Sequence, residues 1–482
     1  MAYLNFNVIG LELLFFLIGC LLFFVKDFIK KEQAAFFLSL VTLLFALIFV
    51  FFLPFGDFTQ SFRLDFFSSS MKFLMIFGGI LILLLSRGYF NKYLVLNYPE
   101  YFGLLFFSLL GSFVMVSAMD LLTFYIAIEL MSFPVYFLIA MGYKINKKGI
   151  EGAFKYFFLG VFSSVFFILG IAILYAYTGS FFFKDLIFVL GKKGTHWEIL
   201  LGALFVIAGI SIKLSFVPFH MWAPDAYEGA SLPITAFMSG IIKFSVLATL
   251  VKVMLMAFFP LRIEIGKIFL PIVLLTILGG NLMAIKQQNL VRMLAYSSIA
   301  HAGYASLGFI IADFTGYTFT VFYAFTYMIM SIGAFGLVAW LESCDKRLVE
   351  IPNLGILGKK NGLVSFLILL FMFSLAGIPP TAGFVAKFYL LLGLVKAGSW
   401  LIAVLVLLFS VIGAYPYIRV VKCVYMDKAL EKVELRPFKW EFWLPIGLCS
   451  VLILLMGIYP QPFASFFYKT MFLYLSFFYF GS

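Results

Sequence analysis

Long apolar runs separated by short polar connections make up almost the whole chain. They fall at 8–25, 34–53, 69–86, 101–118, 121–141, 153–176, 199–217, 233–257, 266–285, 293–312, 317–341, 363–394, 398–421 and 441–459. A helix needs about 20 apolar residues to cross the hydrocarbon layer, and each run is of that order. The pattern predicts an all-α polytopic membrane protein with about fourteen transmembrane helices, built as a single membrane domain over 1–482. Two runs are interrupted. The twelfth is too long for one straight span, and Pro379-Pro380 break it; the seventh runs into V-P-F-H-M-W-A-P-D, with Pro218 and Pro224. Proline removes a backbone donor and opens the helix ladder, so both are expected to be broken helices. The stretch 462–480 suits either an interfacial segment or a fifteenth span. The first run lacks a basic segment before it and a small-residue cleavage site after it, so it is read as a retained span.

Composition narrows the class. Hydrophobic residues are 64% of the chain and charged residues 12%, against about 45–50% and about 25% in soluble domains. The formal net charge is +12, and a basic balance can indicate nucleic acid. Here the cations follow the loops instead. Connections between odd and even spans hold 21 Lys and Arg; the other connections and the tail hold 8. By the positive-inside rule, both termini lie outside and the odd-to-even loops face the cytoplasm. No nucleic acid partner is expected, and the lipid bilayer is. Four cysteines, Cys20, Cys344, Cys423 and Cys449, form no C-x-x-C pair. No zinc site, iron–sulfur cluster or disulfide is expected.

The two broken helices are five spans apart, an odd number. Spans 4–8 (101–257) and spans 9–13 (266–421) are therefore expected to be two five-helix repeats of opposite orientation. Inverted repeats with discontinuous helices place transporter sites near mid-membrane.

Ionisable residues inside the apolar runs are the candidates for chemistry. A cation at the centre of a membrane helix costs about 2.5–3.5 kcal/mol on insertion scales, so it marks an ion or proton path by default. Lys213 ends the seventh run, Lys243 lies in P-I-T-A-F-M-S-G-I-I-K-F-S, and Lys387 follows the double proline. Glu129 sits in the middle of the fifth run. An unpaired carboxylate there is costly, and Lys213 is a plausible partner. A Glu–Lys pair whose separation changes takes up and releases a proton; a static pair that only fixes helix packing is the alternative. His220, after Pro218, and His301, in A-Y-S-S-I-A-H-A-G-Y, are possible relays or hydrogen-bonded packing residues. His196 falls in a polar loop and is read as solvated. Asp225 and Glu228 fall in a cytoplasm-side turn, where helix capping or turn chemistry explains Asp225 equally well, and Asp120 fits a cap for the fifth helix. Tyr296, Ser297 and Ser298 either line a wet path or bond neighbouring helices.

Four stretches carry a resemblance. K-L-S-F-V-P-F-H-M-W-A-P-D-A-Y-E-G-A (213–230), N-L-M-A-I-K-Q-Q-N-L-V-R-M-L-A-Y-S-S-I-A-H-A-G-Y (281–304), S-L-A-G-I-P-P-T-A-G-F-V-A-K-F-Y (374–389) and Y-P-Y-I-R-V-V-K-C-V-Y (415–425) resemble the antiporter-like subunits of bacterial NADH:quinone oxidoreductase, complex I. F-H-M-W-A-P-D-A-Y-E-G-A is closest to the subunit N branch. Ser231-Leu232 depart from the family's usual Pro-Thr. The resemblance implies a fourteen-helix fold with inverted repeats and one proton channel driven by quinone reduction elsewhere in the complex. It also implies roles: Glu129 as the fifth-helix carboxylate, Lys213 as its partner, Lys243 as the link between halves and Lys387 as the lysine near the outside exit. It implies no cofactor in this chain, with NADH, FMN, iron–sulfur clusters and quinone held by other subunits. The implied partners are other membrane-arm subunits, sister antiporter-like chains among them, and the implied site is the bacterial inner membrane. An Mrp-type sodium/proton antiporter subunit is the alternative, and a non-transporting membrane scaffold is a third reading.

Overall fold

A computed structural model describes residues 5–24, 32–90, 98–141, 147–193, 196–427 and 435–480. Val25 of the first run and the loop cations Lys26, Lys30, Lys31, Lys92, Lys144, Lys428 and Lys432 lie outside the described residues.

Each of the fourteen apolar runs coincides with a helix or a helix pair. Eleven helices of the described residues are long and apolar enough to cross a membrane, and Gln33–Phe49 and Gly362–Ala376 are shorter apolar helices. Local sequence fixes several starts. Asp120 accepts from the Thr123 amide at 2.7 Å and caps Leu121–Ala140 as expected. Asn289, Asp313 and Asn361 do the same for Leu290–Ala305, Phe314–Cys344 and Gly362–Ala376, each satisfying amides that a helix start leaves without partners. Pro233 sits in the first turn of Leu232–Phe237, where its missing amide costs nothing. Ser231 and Leu232 thus still support a helix start.

Helix burial separates core from periphery. Leu232–Met256 and Phe314–Cys344 are buried through the whole of their most apolar windows. Lys147–Thr178 and Trp400–Met426 have only 33% and 28% of theirs inside and present the rest outward, as lipid-facing helices do. Helices come close where side chains are small: a Cβ on Gly170 would lie 2.7 Å from the Gly202 carbonyl oxygen. This contact draws Lys147–Thr178 against Trp197–Lys213.

Both interruptions are present. Trp197–Lys213 stops at Lys213, and the chain resumes helix at Trp222–Gly229. In between, Ser215 takes a left-handed conformation at φ 58°. Gly362–Ala376 ends at Gly377, φ 85°, where a side chain would be strained, and Ala382–Lys396 restarts after the prolines. Three features were not read from the pattern. One is a π-helical segment, Met238–Ile242, directly before Lys243. Another is a small antiparallel hairpin, Gly56–Thr59 with Phe62–Leu64. The third is Phe183–Lys193, a helix inside a connection. The ambiguous tail is the continuous helix Gln461–Phe480; its Phe467 and Tyr474 rings pack on Phe322 and Phe67 at 5.9 and 5.2 Å.

Candidate functional site

Glu129 stands mid-way along Leu121–Ala140, and Lys213 is the last residue before the break in its own helix. The fold brings them together. Lys213 Nζ lies 3.1 Å from Glu129 Oε1; the lysine side chain is 1% exposed and the glutamate 30%. Lys213 also donates to Ser132 Oγ at 3.1 Å and Tyr136 Oη at 3.3 Å, and Ser164 Oγ donates to Glu129 at 2.8 Å. The ammonium thus has a carboxylate and two hydroxyls as acceptors, which offsets its desolvation. The break supplies an anchor beside it. Trp222 Nε1 donates at 3.0 Å to the Ile212 carbonyl, which also accepts from the Ser215 amide at 3.1 Å. The same indole stacks on Tyr156 at 4.2 Å, and Tyr156 meets Tyr136 edge-on at 4.8 Å.

Lys243 follows the π-helical turn and is 2% exposed. Such turns displace a side chain from its α-helical direction and recur at functional sites. Nζ donates to Ser298 Oγ at 2.6 Å and to the Ser298 carbonyl at 2.9 Å. Tyr227 Oη is 3.5 Å from the same hydroxyl.

Lys387 occupies the second break. It donates to the carbonyls of Ala376 at 2.9 Å and Leu375 at 3.2 Å, the open end of Gly362–Ala376, and to Ser410 Oγ at 3.3 Å. A cation at a helix C-terminus is favoured by the helix dipole as well as by these bonds. The ammonium also lies 4.7 Å from the Tyr304 ring centre. A small, mostly apolar cavity of about 10 Å³ adjoins it, with Leu307, Leu390, Leu391 and Val406 in its wall beside Tyr304, Tyr323, Lys387 and Ser410, the space of about one water.

His301 lies between these lysines. Its Nδ1 is 2.8 Å from Tyr323 Oη and its Nε2 3.3 Å from Tyr417 Oη, while Tyr417 Oη is 2.5 Å from Ser297 Oγ. Hydrogen-bond distances thus join Ser297, Tyr417, His301 and Tyr323; Ser298, next to Ser297 in sequence, holds Lys243, and Tyr323 lines the cavity at Lys387. Ser297 and Ser298 both make the interhelical bonds foreseen for them. Tyr417 and Tyr323 were missed: each reads as an ordinary aromatic in an apolar run, and only the fold brings them to His301.

His220 is buried but joins neither end of this chain of groups. Its Nε2 faces Met283 Sδ at 3.3 Å, and its Nδ1 has no hydrogen-bond partner among the described residues. His196 is exposed and packs on Tyr177 at 5.4 Å. Asp225 is not a cap; Met221 holds the cap position of Trp222–Gly229, and Asp225 and Glu228 both lie inside that helix. They bind cations instead. Arg292 Nη1 reaches Asp225 at 2.8 Å and Glu228 at 2.7 Å, Lys155 reaches Asp225 at 2.6 Å, and Lys148 reaches Glu228 at 2.7 Å. Three helices are clasped across the first break and the start of Leu290–Ala305. Among the described residues, no group of three or more His, Cys, Asp or Glu is placed to hold a metal ion.

Residues 118–413 match the family model described as NADH:quinone oxidoreductase/Mrp antiporter, TM. The chain is 37% identical over 423 residues to a NADH-quinone oxidoreductase subunit N 1 of Thermodesulfovibrio yellowstonii, covering 87% of this chain and 90% of that one. It is 35% identical over 401 residues to the subunit N of Parvibaculum lavamentivorans, covering 83% and 82%. Among solved structures, a chain of respiratory complex I from Thermus thermophilus aligns with a TM-score of 0.78 and 27% identity, over 94% of this chain and 98% of that one. A chain of the Mrp complex from Dietzia aligns with a TM-score of 0.87 at 18% identity, over 98% of each, a likeness of fold.

Proposed function

The chain belongs to the NADH:quinone oxidoreductase/Mrp antiporter membrane family, on its subunit N branch, and from that premise we propose that Glu129, Lys213, Lys243 and Lys387 carry the protons it moves. It is a multi-pass membrane protein and a proton-translocating membrane-arm subunit of NADH-quinone oxidoreductase. Its own part in that enzyme is translocation without redox chemistry; NADH, FMN, iron–sulfur clusters and quinone belong to other subunits. Its partners are other membrane-arm subunits, including sister antiporter-like chains, in a bacterial inner membrane with both termini outside. The channel spans two inverted units, 101–257 and 266–421.

One observation carries the reading. A buried lysine at the end of an interrupted helix is 3.1 Å from a glutamate that is itself partly accessible. Pairing favours both charged forms, and desolvation disfavours both. Separating Glu129 from Lys213 therefore moves the lysine towards releasing a proton. The proton is passed to Lys243, then along Ser298, Ser297, Tyr417, His301 and Tyr323 to Lys387, where the broken helix supplies acceptors. His301 acts as a relay in this path; His220, lying off it, is assigned a packing role. The fold likeness to the Mrp chain gives sodium exchange no added support.

The test is proton release by the assembled complex in sealed vesicles, followed with a pH-sensitive dye during NADH oxidation. Lys213→Ala is expected to abolish most release while the complex still assembles. Undiminished release per electron would overturn the assignment.

A further inference from the structure

Outside the path just described, a second set of ionisable side chains is buried on three helices, one of them the helix that carries Lys243. Glu12 on Gly10–Phe24 and Lys72 on Phe66–Phe90 form an ion pair at 2.5 Å, with the lysine side chain 0% and the glutamate 8% exposed. Lys252, on the same helix as Lys243, is 0% exposed and donates to the Val116 carbonyl at 2.9 Å. Nine residues of helix separate Lys252 from Lys243, a rise of about 13 Å. Lys252 therefore sits a step further along the helix, towards the face that carries the hairpin.

The surroundings are polar and poorly satisfied. Beyond the Glu12 Oε1–Lys72 Nζ pair itself, Glu12 Oε2, Asp65 Oδ2, Ser69 Oγ and Ser117 Oγ are buried without a hydrogen-bond partner among the described residues. Ser69 lies three residues before Lys72 and so on the same helix face. Ser117 follows the carbonyl that Lys252 uses, and Ala118 bridges to Phe62 of the hairpin. Buried polar atoms in folded proteins nearly always find partners, and a group of orphaned ones marks a place that takes up water. Charges continue from there to the surface: Lys252 is within electrostatic range of Asp65, Arg63, Lys72 and Asp57. Arg63 and Asp57 pair at 2.5 Å with side chains 35% and 49% exposed. Two aromatic rings also adjoin the lysines, Phe62 at 5.1 Å from Lys72 and Tyr474 at 5.6 Å from Lys252.

We propose that Glu12, Lys72 and Lys252 form a second proton-binding site, a side branch that joins the central lysine helix to the hairpin face through Asp65. The binding step is simple. An O–H bond forms on Glu12, Lys72 stays charged, and the pair gains one positive charge; release to water near Asp65 reverses it. A pair that served packing alone would be expected to have its remaining lone pairs filled by protein donors, and here they are open. The branch rests on the reading that this chain moves protons.

The test uses the intact complex in vesicles driven by NADH and quinone. Redox-triggered infrared difference spectra of the wild type are expected to contain a carboxyl band that Glu12→Gln removes, with proton release per electron falling at least twofold. Glu12→Gln leaves Lys72 unpaired, so the double variant Glu12→Gln, Lys72→Gln is measured beside it; it removes both charges and keeps the volume. Identical spectra and undiminished release in the assembled double variant overturn the proposal. Lys213→Ala in the same preparation separates the two ideas. If that variant pumps normally, the central path fails, and the Glu12 band still decides the branch.

Discussion

Lys387 Nζ closes the end of a helix that belongs to another segment of chain: it bonds the Ala376 carbonyl at 2.9 Å across the double-proline break. The cation and the gap stabilise each other. A helix terminus inside the membrane leaves carbonyls that need donors, and an ammonium there needs acceptors. Lys387→Met is therefore expected to lower thermal stability by about 1–3 kcal/mol, the range for orphaning buried polar groups, and to stop proton exit. Lys387→Arg is expected to restore stability better than pumping. A thermal melt together with a vesicle proton assay checks both, and full pumping by the methionine variant would remove Lys387 from the path.

Glu129 and Lys213 are expected to behave as one unit. Each single neutral variant, Glu129→Gln or Lys213→Met, is expected to slow proton transfer by on the order of 10²-fold, the scale of losing a placed acid or base. Because each single variant leaves a charged partner alone, the lysine buried and the glutamate half-buried, the double variant is expected to cost less than the two losses combined. Strict additivity in the double-mutant cycle would mean that the pair does not act together.

Gly160 tests the same pair from its other side. A Cβ at Gly160 would collide with the Tyr136 hydroxyl and stand 3.5 Å from Lys213 Nζ, whereas at Gly191 it would meet nothing within 4 Å. Gly160→Ala is expected to push Tyr136 from the lysine and reduce proton release per electron severalfold, with Gly191→Ala unchanged. Equal release by the two variants would show that the tyrosine contact is dispensable.

Much of this was legible before any coordinates. Lys213, Lys387 and Glu129 stood out because charge in an apolar run is costly, and prolines marked both interruptions beside the lysines. Other parts were hidden for physical reasons. Lys72 follows three serines (68–70) near a helix start, so it reads as a polar edge, yet burial is complete. M-S-G-I-I before Lys243 reads as ordinary helix; the π-turn arises from packing between buried helices. Tyr417 is 116 residues from His301, and no local pattern announces that contact. Asp225 looked like a cap because capping is a local rule, whereas its partners, Lys155 and Arg292, come from other helices.

The clasp on Trp222–Gly229 carries a pH signature. Burial alone pushes the Asp225 and Glu228 carboxyls up, but the hydrogen bonds and charges of Lys155 and Arg292 on the first, and of Lys148 and Arg292 on the second, outweigh it and hold both below their ordinary values of 3.8 and 4.5. Both bind protons less tightly folded than unfolded. Their contribution is therefore complete above those values and fades as pH falls through the lowered ones. The melting temperature of the wild type is expected to exceed that of Asp225→Asn at neutral pH, with the gap closing below about pH 4. A gap that persists undiminished in acid would assign the stabilisation to packing.

Tyr417 stands on the proposed route between Lys243 and Lys387. Its hydroxyl touches both Ser297 and His301, at 2.5 and 3.3 Å. Tyr417→Phe keeps the ring, so the buried helix face is preserved and the loss of stability is expected to be about 1 kcal/mol. A proton arriving at Ser297 then has no acceptor within hydrogen-bond reach of the imidazole, and transfer must wait for a water to enter. Proton release per electron is expected to fall several-fold in Tyr417→Phe and to stay at the wild-type level in Tyr415→Phe, a neighbour whose side chain is exposed. His301→Gln is expected to match Tyr417→Phe, and the double variant to add little, because both interrupt the same step. If Tyr417→Phe pumps as the wild type does, protons reach Lys387 by another way, and the serine–tyrosine–histidine chain is packing.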